Sequence, residues 1–319
     1  MDEGNSDPSG TVTMMSSPTE IRRGVALAFG AYLMWGLLTV YWKALGGFPA
    51  AELIGWRLLM AVLLLIVVLA ATGRLRILGT TARDPALRRR IAIAAVLLAT
   101  NWTAYVYAVV ADHIIETALG YFMAPLGTML IGVVVLGERL RGAQRLAVAF
   151  AVAAVVVLTV SYGRLPIVAL LLAGTWSVYG LLKKQVPLHP FESLAAETST
   201  LVLPALVLIA WGATQTDGMA RTATTWEWVL VVGSGAITVL PLLLFAGAAH
   251  RVPLSVLGPI QYLVPTINFG LGWLVYGEDL PISRFVGFAF VWTGLAVLAI
   301  DSLRRHRRTP RAEVIGTRS

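Results

Sequence analysis

The stretch Ala118–Leu140, ALGYFMAPLGTMLIGVVVLGERL, runs for about twenty residues without a charge, carries Pro125 inside it and stops at Gly137-Glu138. Gly258–Leu280, GPIQYLVPTINFGLGWLVYGEDL, repeats its layout. Pro125 answers to Pro265, Gly132 to Gly272, Gly137 to Gly277, Glu138 to Glu278 and Leu140 to Leu280, each pair 140 residues apart. About 20 residues at 1.5 Å per residue cross about 30 Å of hydrocarbon, so both stretches read as membrane spans. A span recurring at a fixed offset marks a doubled unit.

Composition agrees. Of 319 residues, 57% are apolar and 13% charged, with mean hydropathy +0.77. Soluble domains carry about 25% charge. Cysteine is absent, which excludes disulfides, thiolate catalysis and cysteine-ligated metals. The four histidines are scattered without ligand spacing, and there is no phosphate-cradling Gly-Lys-Ser/Thr loop. No cofactor is therefore expected. The first twenty residues are polar and lack the basic start and apolar core of a cleavable leader.

Ten spans are expected: Gly24–Ala44, Glu52–Thr72, Ile91–Val110, Thr117–Leu136, Ala143–Val160, Leu165–Leu182, Phe191–Trp211, Trp226–Ala249, Leu254–Tyr276 and Ser283–Asp301. With the N-terminus inside, twenty of the 25 Lys and Arg fall on inside segments. Four (Lys43, Arg164, Arg221 and Arg284) fall outside, and Arg57 lies within a span. That bias places both termini in the cytoplasm. The net charge of +8 is thereby explained by topology and by contact with anionic lipid headgroups, not by nucleic acid.

The fold class expected is an all-α polytopic membrane protein of ten transmembrane helices. Residues 1–20 form a disordered cytoplasmic tail, 21–162 a first five-helix repeat, 163–303 a second, and 304–319 a basic cytoplasmic tail. Five is odd, so the second copy enters the membrane upside down. Inverted repeats are a hallmark of secondary transporters, whose halves rock about a site near the midplane.

Charge within a span is costly and marks functional candidates. Arg57 and Glu197 occupy equivalent places in spans two and seven. Inversion puts Arg57 below the outer surface and Glu197 above the inner one, separated by roughly 15 Å along the normal. They should not pair directly. Asp112 or Glu116 are candidate partners for Arg57; His250, Arg251 or Lys184 are candidates for Glu197. Both residues could equally snorkel or lock helices together.

Further substrate-binding candidates are Trp35, Asn101, Trp102, Tyr105, Tyr121, Trp176, Gln261, Tyr262 and Asn268, a set suited to a flat or amphiphilic solute. The amides are the firmest of these, because an amide facing lipid is disfavoured. Pro125 and Pro265 are candidate paired kinks. Glu138 and Glu278 are placed to cap the helix that follows each.

The residues also carry a resemblance. Asn101-Trp102, Glu116, Leu119-Gly120-Tyr121-Phe122 with Pro125, Leu136-Gly137-Glu138-Arg139, Glu197-Thr198, Pro241-Leu242 with Phe245, and Ser255, Gly258, Tyr262 and Pro265 before Gly277-Glu278 stand in family order. The chain resembles the EamA-like permeases of the drug/metabolite transporter superfamily, particularly the RarD-type chloramphenicol-sensitive or chloramphenicol-resistance permeases. The resemblance implies a bacterial inner-membrane carrier. Trp56 stands where members often carry a His before the span-two Arg, which weakens proton coupling there. The function expected is secondary transport of a small organic metabolite or drug, including a chloramphenicol-like one, with proton antiport through Glu197. A membrane-embedded lipid enzyme and a passive channel or scaffold are the other readings. A homodimer is left open.

Overall fold

The computed structural model describes residues 18–308 except Glu138, Lys184, His250 and Pro253. The expected cap by Glu138 and the expected Glu197 partners His250 and Lys184 fall outside the described residues. So do most of the N-terminal tail and residues 309–319.

The described residues form α1 (Pro18–Lys43), α2 (Ala50–Ala71), α3 (Arg76–Arg83), α4 (Pro85–Val110), α5 (Ile114–Leu136), α6 (Gly142–Tyr162) and α7 (Ile167–Lys183). They continue as α8 (Pro190–Thr200), α9 (Val202–Thr214), α10 (Met219–Thr222), α11 (Thr225–Ala249), α12 (Leu254–Ile260), α13 (Leu263–Gly270), a π-helical turn (Leu271–Val275) and α14 (Ile282–Arg308). No strand occurs among them.

Among the described residues, seven helices are long and apolar enough to cross a membrane: α1, α2, α4, α5, α6, α11 and α14. The pair α8–α9, bent by 52°, makes an eighth. The expected sixth span is the 17-residue α7, and the expected ninth is broken into α12, α13 and the π turn. By length and composition, then, seven or eight crossings stand where ten were expected. The ninth breaks because Pro259 and Pro265 each remove an amide donor, and the chain turns at Gln261-Tyr262 between them.

Helix ends follow local chemistry. The Asp84 carboxylate accepts from the Ala86 and Leu87 amides at 2.9 and 3.1 Å, with Pro85 in the first turn of α4. Gly137 and Gly277 both end their helical segments in the left-handed region, each at φ 66. The repeat is thus visible in the backbone as well as in the sequence.

Packing keeps the same exchange. α1 packs on α11 and α13, and α7, the expected counterpart of α1, packs on α4 and α5. Three contacts join counterparts: α2 with α8 and α9, α5 with α13, and α6 with α14. α11 and α13 thus stand to α1 as α4 and α5 stand to α7.

Small residues permit these approaches. A Cβ on Gly120 of α5 would lie 2.9 Å from the Ala169 carbonyl oxygen of α7, and one on Gly55 of α2 would lie 2.8 Å from that of Ala205 in α9.

The burial pattern is that of a chain solvated by hydrocarbon. Val134, Val160, Leu203 and Leu274 are more than two-thirds exposed, whereas Glu197, Asn268, Thr39 and Thr117 are fully buried. Water would favour the opposite.

Candidate functional site

The polar interior begins on α1, where Leu38, Thr39 and Trp42 share one face and are all buried. Thr39 is the junction. Its hydroxyl lies 2.9 Å from that of Tyr105 on α4 and donates to Asn268 Oδ1 of α13 at 3.0 Å. Asn268 Nδ2 reaches Thr117 Oγ1 of α5 at 3.5 Å. The Asn101 amide nitrogen donates to the Leu172 carbonyl at 3.2 Å and to Thr175 Oγ1 at 2.9 Å, both on α7. The Tyr121 hydroxyl donates to Asn101 Oδ1 at 3.4 Å. Residues from α1, α4, α5 and α13 thus share one hydrogen-bonded chain and residues from α4, α5 and α7 a second, and the two meet where the Tyr105 and Tyr121 rings touch. Each hydroxyl and amide named in them has a partner, as low dielectric demands, whereas the Trp42 indole nitrogen has none.

Arg57 of α2 enters beside this network and is only 4% exposed. Its guanidinium carbon lies 4.1 Å from the ring centroid of Trp102 and 5.3 Å from that of Trp42. Nε and Nη1 are buried and have no hydrogen-bond partner. Tyr105 and Tyr121 lie close enough to interact with the charge, and their rings are 6.0 Å apart.

The proposed carboxylate partners are engaged elsewhere. Asp112 pairs with Lys43. Glu116 pairs with Arg164 at 2.9 Å and accepts from the Val168 amide at 3.0 Å. Loop charges reach those carboxylates first, because all four groups lie at the end of the bundle where α1 finishes.

Glu197 of α8 sits in a different cluster. Its carboxylate accepts from Lys183 Nζ at 2.8 Å, from Ser193 Oγ at 2.7 Å and from the Tyr179 hydroxyl at 2.9 Å. Lys183 also reaches Ser193. Arg251, an expected partner, instead donates to the Gly247 carbonyl at 2.6 Å. Arg57 and Glu197 do not pair.

The structure thus gathers Arg57, Asn101, Trp102, Tyr105, Tyr121 and Asn268. Trp35 packs against Tyr32 and Phe245, at 5.3 and 5.8 Å between centroids. Tyr262 stacks on Phe122 at 6.3 Å. Trp176 is 43% exposed and lies against Tyr179. Gln261 is exposed in the turn between α12 and α13. Pro125 lies within a continuous α5, and Pro265 is buried in α13, after the break.

Sequence reasoning missed Thr39, Trp42, Thr117, Lys183 and Ser193. Helical spacing signals most of them: Ser193 precedes Glu197 by four residues, Lys183 follows Tyr179 by four, and Trp42 follows Thr39 by three.

Glu278 does not cap α14, the helix that follows it. It accepts from the Ile114 amide and, at 2.9 Å, from the Ile115 amide, at the start of α5. The π turn carries the chain toward α5, and Gly272 abuts Ile115 closely enough that a Cβ there would sit 2.8 Å from its side chain. Burial raises the Glu278 carboxyl above the ordinary carboxylate range, while the two amides pull it down.

Comparison with known proteins fits this architecture. The EamA-like transporter family model matches residues 22–160 and again 164–300. The chain is 40% identical to a protein RarD of Streptomyces exfoliatus over 295 residues, covering 92% of this chain and 94% of that protein. It is 35% identical to the protein RarD of Escherichia coli K12 over 291 residues, covering 91% and 98%. A crystal structure matches the fold with a TM-score of 0.57 at 21% identity, over 90% of this chain and 99% of that one. Two copies of one family model, laid end to end over nearly the whole chain, place this protein in the EamA-like transporter family, among its RarD-type permeases.

Proposed function

We propose that the protein is a secondary carrier that moves a small organic metabolite or drug by alternating access. The observation that carries this reading is the buried polar and aromatic cluster around Arg57. It is built from helices of both halves, α1, α2, α4 and α5 with α7 and α13. An inert bundle would be expected to fill that place with aliphatic side chains. In this reading α7 and the broken α12–α13 segment complete ten crossings, and the odd-numbered repeat is inverted. Both termini then lie in the cytoplasm of a bacterium and the protein sits in its inner membrane.

The end carrying Lys43, Asp112, Glu116, Arg164 and Glu278 is then the outer end, and it is held shut by carboxylates. Arg57, Asn101, Trp102, Tyr105, Tyr121 and Asn268 line the occluded site. Trp35, Tyr262, Trp176 and Gln261 border the route to it. Pro125 and the Pro265 segment bend as the halves rock. A proton-coupling role for Glu197 requires its Lys183 pair to open during the cycle.

Counterflow in proteoliposomes tests the proposal. A carrier accumulates labelled solute against unlabelled solute on the far side; a channel or scaffold does not. Chloramphenicol, hydrophobic amines, amides and amino acids form the first panel. Transport unchanged in both Arg57→Ala and Glu197→Gln, with membrane insertion verified, would remove these residues from the mechanism.

A further inference from the structure

Arg57 carries a positive charge in the interior and has no carboxylate partner among the described residues. The acidic groups nearest its half of the bundle are all engaged: Asp112 by Lys43, Glu116 by Arg164 and the Val168 amide, Glu278 by Ile114 and Ile115, and Glu52 by the Met219 amide at 3.1 Å. Two cation–π contacts return less than the desolvation of a guanidinium costs. Arginine does not escape by losing its proton. Nε and Nη1 are buried without acceptors, as is the indole nitrogen of Trp42 under the same guanidinium. A buried guanidinium nitrogen that lacks an acceptor is a place for a partner that comes and goes.

We propose that the solute is a monocarboxylate with an aromatic or otherwise flat apolar body, and that its carboxylate docks on the Arg57 fork. This rests on the carrier reading above and narrows it. One guanidinium supplies one charge, and among the described residues no second cation contacts its aromatic neighbours. A dianion such as a phosphate monoester would therefore bring one charge too many. The planar fork matches a carboxylate with two parallel hydrogen bonds. Trp42, Trp102, Tyr105 and Tyr121 surround the same place with ring faces and edges, the lining that holds a flat body by stacking. The Tyr121 hydroxyl, now held by a long bond to Asn101, is free to turn its proton to the incoming oxygen.

The test uses the purified full chain in detergent and two matched pairs, benzoate with benzamide and indole-3-acetate with indole-3-acetamide, read by ligand-induced shifts in thermal unfolding. In the wild type each carboxylate should bind about tenfold or more tighter than its amide. Arg57→Gln should abolish the preference, and Arg57→Lys should weaken it by keeping the charge and losing the fork. Tyr121→Phe should reduce it, and serves if the Arg57 variants do not fold. A wild type with no carboxylate preference in either pair overturns the inference, as does a folded Arg57→Gln that keeps the preference. Counterflow of labelled benzoate separates the two readings. Carboxylate-selective binding without counterflow leaves the site standing and removes the carrier. Counterflow of chloramphenicol or an amine without carboxylate preference leaves the carrier standing and removes this inference.

Discussion

Arg57 and Glu197 occupy equivalent positions in the two repeats, 140 residues apart, and meet opposite surroundings. Glu197 is fully buried and is held by Lys183, Ser193 and Tyr179. Arg57 is nearly as buried, yet it meets ring faces, and its Nε and Nη1 have no hydrogen-bond partner. Ser193 stands 140 residues after Leu53, while Trp35 and Lys43 answer to Trp176 and Lys184, one residue further on. In the second repeat Tyr179, Lys183 and Ser193 close on the carboxylate. In the first, Lys43 turns out to Asp112, and position 53 offers only a hydrocarbon. One geometry therefore makes a finished ion pair in one half and an open valence in the other. The finished one is satisfied within the bundle; the open one keeps a buried Nε and Nη1 without a partner.

The largest effect should come from opening the finished pair. Lys183→Met leaves a buried carboxylate without its counter-charge and should cost roughly 3 kcal/mol, at the low end of the buried range because Lys183 is partly exposed. Denaturant unfolding in micelles measures it. Arg57→Met is the opposing arm. It removes an uncompensated charge, so its midpoint should hold or rise. A loss comparable to that of Lys183→Met would mean that Arg57 is structural and would erase the contrast.

Next in size is the junction beneath Arg57. Asn268→Ala breaks the bonds to Thr39 and Thr117 within the interior and should cost about 2 kcal/mol. Gly120→Ala places a Cβ against the backbone of Ala169 and should cost about 1–2 kcal/mol, because backbone cannot step aside as a flexible side chain can. If Gly120→Ala is neutral, the α5–α7 seam is slack and the site is not rigidly held.

Spans were legible because hydrocarbon imposes an uninterrupted apolar run, and the doubling because Gly137 and Gly277 must both end a helix in the left-handed region. The gathering of Asn101, Trp102, Tyr105 and Tyr121 was legible because buried amides and hydroxyls need one another. The partners were harder to read. Lys183, one residue before the expected Lys184, reaches Glu197 because it lies one turn after Tyr179 on the face toward α8. Asp112 and Glu116 look available to Arg57 until helix packing brings Lys43 and Arg164 to them. Gln261 looked like an interior amide because a continuous helix was assumed; the break between α12 and α13 leaves it exposed. Sequence spacing constrains contacts within a helix, whereas these depend on how separate helices rotate.

The smallest effect separates a carboxylate that stays paired from one that must let go. Glu278 bridges the turn after the π segment to the start of α5, and burial raises its carboxyl above the usual range. A carboxyl whose value is higher folded than unfolded contributes stability that is complete below the unfolded value, about 4.3. That contribution fades as pH rises through the folded value. From about pH 4 toward neutrality the wild type should therefore lose stability relative to Glu278→Gln, by at most about 1.4 kcal/mol for each unit of displacement. Melting curves of both proteins across that window measure the difference. If opening the outer end exposes Glu278 to water, the same linkage makes opening release protons, so rising pH favours the open form. Parallel melting curves for wild type and Glu278→Gln would mean that the latch carries no pH-dependent term.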